Sequence, residues 1–217
     1  MKISETKIGK KIEKITFDYF PERGYLDSEY GFKADEIFEM QLKKMGWKLL
    51  DLGKYSAVFE HPKKNYVLKV NFVPDKGYAQ YVNIIKHSRN PHFPKISDVK
   101  TLTVKSRNNK NHKDTTRSFS VYLIEKLYPL AKEERRTLSE ALENIVDWPS
   151  HSLADIFNKI YGIAIPSILE EHPVLVKAAR IIGKNKGIFY NDLHAGNIMK
   201  RKDGTIVITD PYSGGDY

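Results

Sequence analysis

Apolar residues first fall into a regular pattern between Ala34 and Met45, where Ile37, Phe38, Leu42 and Met45 recur at helical spacing and Gly46 supplies a stop. Residues 1–32, before this segment, are polar and aromatic without clear periodicity, and read as an extension packed on the outside. Trp47 to Phe59 reads as two strands around Gly53. Tyr66-Val67-Leu68-Lys69-Val70 is a third strand, reached through the turn His61-Pro62-Lys63-Lys64-Asn65. Tyr78 to His87 is predicted as a helix, with Pro91 and Pro94 closing the loop after it.

Val99 to Val104 and Phe119 to Ile124 are expected to pair antiparallel around a basic loop, Lys105 to Arg117. Helical spacing returns at Glu133 to Val146, Leu153 to Ile163 and Ile168 to Ile182. Two short strands, Ile198-Met199 and Ile206-Val207-Ile208, then flank the polar turn Lys200-Arg201-Lys202-Asp203-Gly204. Strands first, helices second and a strand-rich final segment predict an α+β, two-lobed plan.

Composition narrows the class. A chain of 217 residues, 41% hydrophobic and 12% aromatic, can bury a substantial core. It has no cysteine, so neither a disulfide framework nor a thiolate metal site is available. No apolar run reaches the ~20 residues that span a bilayer, and Met1-Lys2-Ile3-Ser4 leads into a charged segment without a signal-peptide core. These features favour a soluble cytoplasmic protein with no membrane partner. The 36 basic and 27 acidic residues give a net charge of +9, which favours acidic partners such as nucleotide phosphates. A solubilising surface explains the same charge, so direct nucleic-acid binding stays open.

The most informative stretch is Tyr190-Asn191-Asp192-Leu193-His194-Ala195-Gly196-Asn197, followed by Asp210-Pro211. An Asp, an Asn five residues on and a later Asp is the order in which a phosphoryl-transfer loop holds its base and two metal ligands. A hairpin between Asn197 and Asp210 would bring those two to one end, as chelation needs. The plainer reading is a solvated loop followed by an ordinary hairpin. Upstream, Lys69 is a lone Lys in an apolar strand, resembling the strand Lys that reaches the α and β phosphates of ATP; an edge Lys facing solvent is the plainer alternative. Gly53, Ser56 and Val58 occupy a turn and strand where phosphates and a base could be covered, with Val67 nearby. Gly53 is its one glycine. Val121 to Leu127 runs from an apolar strand into a polar crossing, with backbone groups near Glu125 and Leu127 available to an adenine edge.

Taken together these residues resemble the protein kinase fold, and specifically the early serine/threonine kinases of T-seven-type bacteriophages. The likeness is carried by Leu52-Gly53 with Tyr55-Ser56-Ala57, His61-Pro62, Val67 to Val70, Asp192 to Met199, and Ile208-Thr209-Asp210-Pro211. It implies a transferase that uses ATP and magnesium, with Lys69 anchoring phosphates, Asp192 as base, His194 beside it, and Asn197 and Asp210 as metal ligands. It also implies an N-terminal extension with helix over residues 1–48, a kinase N-lobe over 49–126 and a reduced C-lobe over 127–217. Host proteins would be the phosphoacceptors, with the transcription and RNA-processing machinery as candidate targets, and the role would be host takeover in the host cell cytoplasm.

Three departures qualify the likeness. Lys76 to Lys95 contains no acidic residue, so the usual ion pair between the strand Lys and a helix Glu is missing, leaving Gln80 or Asp75 as substitutes. His194 stands where protein kinases usually carry Lys or Ala, a form also found in small-molecule phosphotransferases. The sequence ends seven residues after Asp210, so the expected peptide-binding activation segment is absent from it. Two alternatives therefore stay open: a kinase-fold binding protein that inhibits a host factor with catalysis dispensable, and a small-molecule phosphotransferase.

Overall fold

The computed structural model describes residues 42–53, 56–71, 75–107 and 114–213, with the backbone alone over 102–119. Ile37 and Phe38 of the first predicted helix lie outside the described residues, but its end is visible. Gly46 adopts φ 85°, its N–H bonds to Lys43 O at 2.9 Å, and Trp47 N–H reaches back to Leu42 O at 3.0 Å. That pair of bonds is a glycine-terminated helix cap, which L-residues with a Cβ close less readily. Leu42 and Trp47 on either side are fully buried.

The chain divides into two compact units, Met1–Pro74 with Lys95–Lys126, and Asp75–Pro94 with Leu127–Tyr217. The first is built on an antiparallel sheet: β1 (Lys48–Leu52), β2 (Ser56–Glu60), β3 (Tyr66–Asn71), β4 (Ile96–Arg107) and β5 (Asp114–Glu125), in spatial order β1-β2-β3-β5-β4. β2 shows the period of two: Ala57 and Phe59 are buried, whereas Ser56, Val58 and Glu60 are half-buried. β3 is central and buried on both faces, which explains its nearly continuous apolar run. The β4–β5 ladder runs out to Arg107 and Asp114, so the strands take up both ends of the stretch expected as a basic loop. Lys110 and Lys113 at its tip lie outside the described residues.

The second unit holds four helices among the described residues: α1 (Lys76–Lys86), α2 (Lys132–Asp147), α3 (Ser167–Glu171) and α4 (Pro173–Asn185). A π-helical turn spans Asp155–Ile160. Asp75 caps α1, its Oδ1 accepting from Tyr78 N–H at 2.8 Å. The single helix expected over Ile168 to Ile182 is two helices. Pro173 forces His172 out of helical conformation (φ −121°, ψ 60°) and starts α4 at its first position. The predicted Leu153 to Ile163 helix is likewise cut short, with Gly162 at φ 66° just beyond the π-helical turn.

α4 packs against α2, where Gly183 makes the close approach possible: a Cβ there would stand 2.3 Å from Val146 O. Two small sheets complete the unit. β6 (Tyr128–Pro129), β8 (Ile198–Lys200) and β9 (Ile206–Ile208) form one, and β7 (Tyr190–Asn191) with β10 (Tyr212–Ser213) the other. The described residues contain no helix long and apolar enough to cross a membrane.

Candidate active site

The β8–β9 hairpin pairs Ile198 with Ile208, so Asn197 and Thr209 stand side by side at its open end. Thr209 donates both its N–H and its hydroxyl to Asn197 O, at 2.8 and 3.0 Å. Asp210 is the next residue. The sequence-based expectation that a hairpin brings Asn197 and Asp210 to one end is thus the observed geometry.

Asp192 joins them through two further bonds. Its N–H donates to Pro211 O at 2.9 Å, continuing the β7–β10 pairing, and its carbonyl accepts from Asn197 Nδ2 at 2.8 Å. The same carbonyl accepts from His194 N–H at 2.8 Å, and Asn197 N–H closes the short 3-10 turn Ala195–Asn197 by donating to His194 O at 2.9 Å. Backbone and amide bonds therefore close a ring through Asp192, Asn197, Thr209 and Pro211. Because Asn197 Nδ2 faces a carbonyl, the amide orientation is defined and its Oδ1 is the atom left to act as a ligand.

His194 is exposed, and its ring position is set locally. Nδ1 accepts from Gly196 N–H at 3.0 Å, so the neutral ring carries its proton on Nε2. A Cβ on Gly196 would stand 2.6 Å from the His194 ring, so glycine is what lets the ring lie there.

Two residues that the sequence did not single out hold this segment in place. Asn191 Nδ2 reaches Glu143 O at 3.2 Å and Asp147 Oδ1 at 3.3 Å on α2, while its Oδ1 receives Leu193 N–H at 3.2 Å. Arg201, in the hairpin turn, donates to Pro91 O and, at 2.9 Å, to Phe93 O. His92 between them is buried, and its Nδ1 lies 2.7 Å from Ile206 O. A carbonyl can only accept, so Nδ1 carries the proton. Burial holds this imidazole below its ordinary value; the bond to Ile206 opposes that, and the charges of His172 and Arg201 add to it. A polar residue beside each motif was the only sequence signal for these ties.

A magnesium ion takes oxygen ligands and completes its shell with phosphate and water. Asn197 Oδ1 and the Asp210 carboxylate are oxygen donors of that kind, one of them, Asp210 Oδ1, shielded from solvent. Among the described residues no three His, Asp or Glu side chains converge to hold an ion unaided. The pair fits a metal brought in with phosphates.

In the first unit, the register places Val58 opposite Lys69, Lys69 opposite Tyr122, and Ser56 opposite Asn71. Ser56, Val58, Val67 and Lys69 consequently share one face of the sheet. Lys69 is buried on the central strand, which removes the edge-strand, solvent-facing alternative. Buried Lys is rare because desolvating an ammonium is costly.

Gly53 bonds through its N–H to Ser56 O at 2.8 Å, and a Cβ there would meet only ordinary contacts. Lys54 and Tyr55 lie outside the described residues. Glu125 is tied to Lys95 twice, N–H to Lys95 O at 3.0 Å and Oε1 from Lys95 N–H at 2.8 Å. Leu127 is buried.

A comparison with curated proteins found no match. The family comparison matched residues 22–216 to bacteriophage T7 protein kinase 0.7, a stretch that contains Lys69, Asp192, Asn197 and Asp210. The chain belongs to the bacteriophage T7 protein kinase 0.7 family.

Proposed function

We propose that this chain is an ATP-dependent serine/threonine protein kinase of the protein-kinase fold, with two lobes and a reduced C-terminal lobe. The observation that carries the reading is the ring of bonds fixing Asp192, Asn197 and the start of Asp210 against one another. Such pre-organisation is what phosphoryl transfer asks of a protein, since positioning and charge stabilisation supply nearly all of the catalysis.

In this reading the Asp192 carboxylate orients the acceptor hydroxyl and takes its proton as the oxygen bonds to the γ-phosphorus and ADP leaves. Asn197 and Asp210 would hold magnesium, which would supply positive charge against that of the phosphates. The Lys69 ammonium anchors the α and β phosphates, and His194 presents Nε2–H beside the base. Ser56, Val58 and Val67 cover the nucleotide with Gly53, and backbone groups near Glu125 and Leu127 meet the adenine edge. The acceptors are host proteins, and the setting is the cytoplasm of the infected cell.

The test is incubation with labelled ATP, magnesium and host lysate, comparing wild type with Asp192→Ala. Label entering serine or threonine of lysate proteins with wild type alone is the expected result. Equal labelling by both would sink the assignment of Asp192. No labelling by either would favour a kinase-fold binding protein.

A further inference from the structure

α1 carries no acidic residue that could form the usual ion pair, yet it does touch the segment that begins at Asp210. Gly77 and Tyr81, four apart, lie on one face of this helix and are both buried. A Cβ on Gly77 would stand 3.3 Å from Tyr212 Cβ and from Tyr212 O, so the helix approaches that strand as closely as a glycine allows. One turn later the Tyr81 hydroxyl donates to Ile208 O at 2.5 Å. The Tyr81 ring is fully buried and meets Phe93 and Tyr212 edge-on, at centroid distances of 6.1 and 6.2 Å.

We infer that Tyr81 is a positioning residue for the metal ligand Asp210, linking α1 to the metal-binding segment through its hydroxyl. This rests on the phosphotransfer reading above and adds to it. Ile208 is the last ladder residue before Thr209 and Asp210, and its N–H is already fixed to His92 O at 2.9 Å. The Tyr81 bond fixes the other side of the same residue. With N–H and C=O both held, the direction in which the chain leaves β9 is set, and with it the place of the Asp210 carboxylate. A tyrosine thus gives α1 a neutral link to the site, through a main-chain carbonyl.

Tyr81→Phe removes the hydroxyl and keeps the ring packing. Binding of a non-hydrolysable ATP analogue is measured by calorimetry with manganese and again with chelator present. The magnesium concentration giving half-maximal transfer is measured alongside, and circular dichroism confirms the fold. Loss of one neutral hydrogen bond predicts about five- to tenfold weaker metal-dependent binding and a similar rise in the magnesium requirement. Metal-free nucleotide binding should stay at the wild-type value. Gly77→Ala, which pushes the same helix face off Tyr212 without touching the hydroxyl, should give the same split.

Unchanged metal-dependent binding in both variants overturns the inference, and so does parallel weakening with and without metal, which is what a purely structural role gives. A wild-type protein that neither binds metal-nucleotide nor transfers phosphate overturns the phosphotransfer reading itself.

Discussion

Thr209 gives two hydrogen bonds to one acceptor, the carbonyl of Asn197, at 2.8 Å from its N–H and 3.0 Å from its hydroxyl. The first is an ordinary continuation of the β8–β9 ladder. The second uses a side chain to hold a proposed metal ligand in place, one residue before the other proposed ligand.

Thr209→Val keeps the β-branched shape and removes only the hydroxyl bond. A loss of about 1 kcal/mol in stability is expected. Transfer rate should fall more than that stability change explains at a temperature where the protein is fully folded. Chemical denaturation and steady-state rates on the same preparation provide the comparison, and equal rates would show that the backbone bond alone suffices.

Gly183 tests the helix packing that supports Asn191. Its missing Cβ would meet Val146 O at 2.3 Å and Pro149 Cβ at 2.9 Å, and the first of these is rigid backbone. Gly183→Ala must therefore push α4 away from α2 despite the better helix propensity of alanine. A destabilisation of about 1–3 kcal/mol is expected, or about 3–10 °C in melting temperature for a chain this long. An unchanged or higher Tm would show that the two helices can slide apart at no cost.

How much of this was legible follows from which interactions are local. The hairpin that places Asn197 next to Thr209 was readable because both strands and their turn lie within a few residues of each other. The strand carrying Lys69 was readable because a central strand buried on both faces writes a continuous apolar run. The break at His172 was also written, in Pro173, but helical spacing on both sides outweighed that signal. Asn191, Tyr81 and Arg201 were not legible. Their partners are carbonyls of Glu143, Ile208, Pro91 and Phe93, and a main-chain carbonyl leaves no trace in residue identity. Long-range side-chain-to-backbone bonds of this kind need coordinates.

His92 predicts a pH dependence of stability. Its folded value lies below the ordinary 6.5, so the unfolded chain binds more protons as the solution becomes acidic. The contribution of this residue is fully present above that ordinary value and is lost as pH falls through the window beneath it. Lowering pH from about 7.5 to about 5.5 should reduce the melting temperature, with part of the slope due to His92. His92→Asn, which retains a donor for Ile206 O, should flatten that part. An identical slope in wild type and variant would assign the pH dependence to other groups.

Gly196 gives a way to move His194 without changing it. Its backbone is one that alanine tolerates, but a Cβ would stand 2.6 Å from Cε1 and 3.0 Å from Nδ1 of the His194 ring. Gly196→Ala therefore displaces the ring and breaks the bond from Gly196 N–H to Nδ1. His194 is exposed, so the stability cost should be small, within about 0.5 kcal/mol. If the imidazole acts beside Asp192, transfer should fall about tenfold or more, as it should in His194→Ala. The double variant separates this from a general disturbance of the loop. With the ring already gone, adding the methyl group should cost nothing further, and the two effects should fail to add. Additive losses, or a wild-type rate in His194→Ala, would take His194 out of the catalytic set and leave Gly196 as a turn residue alone.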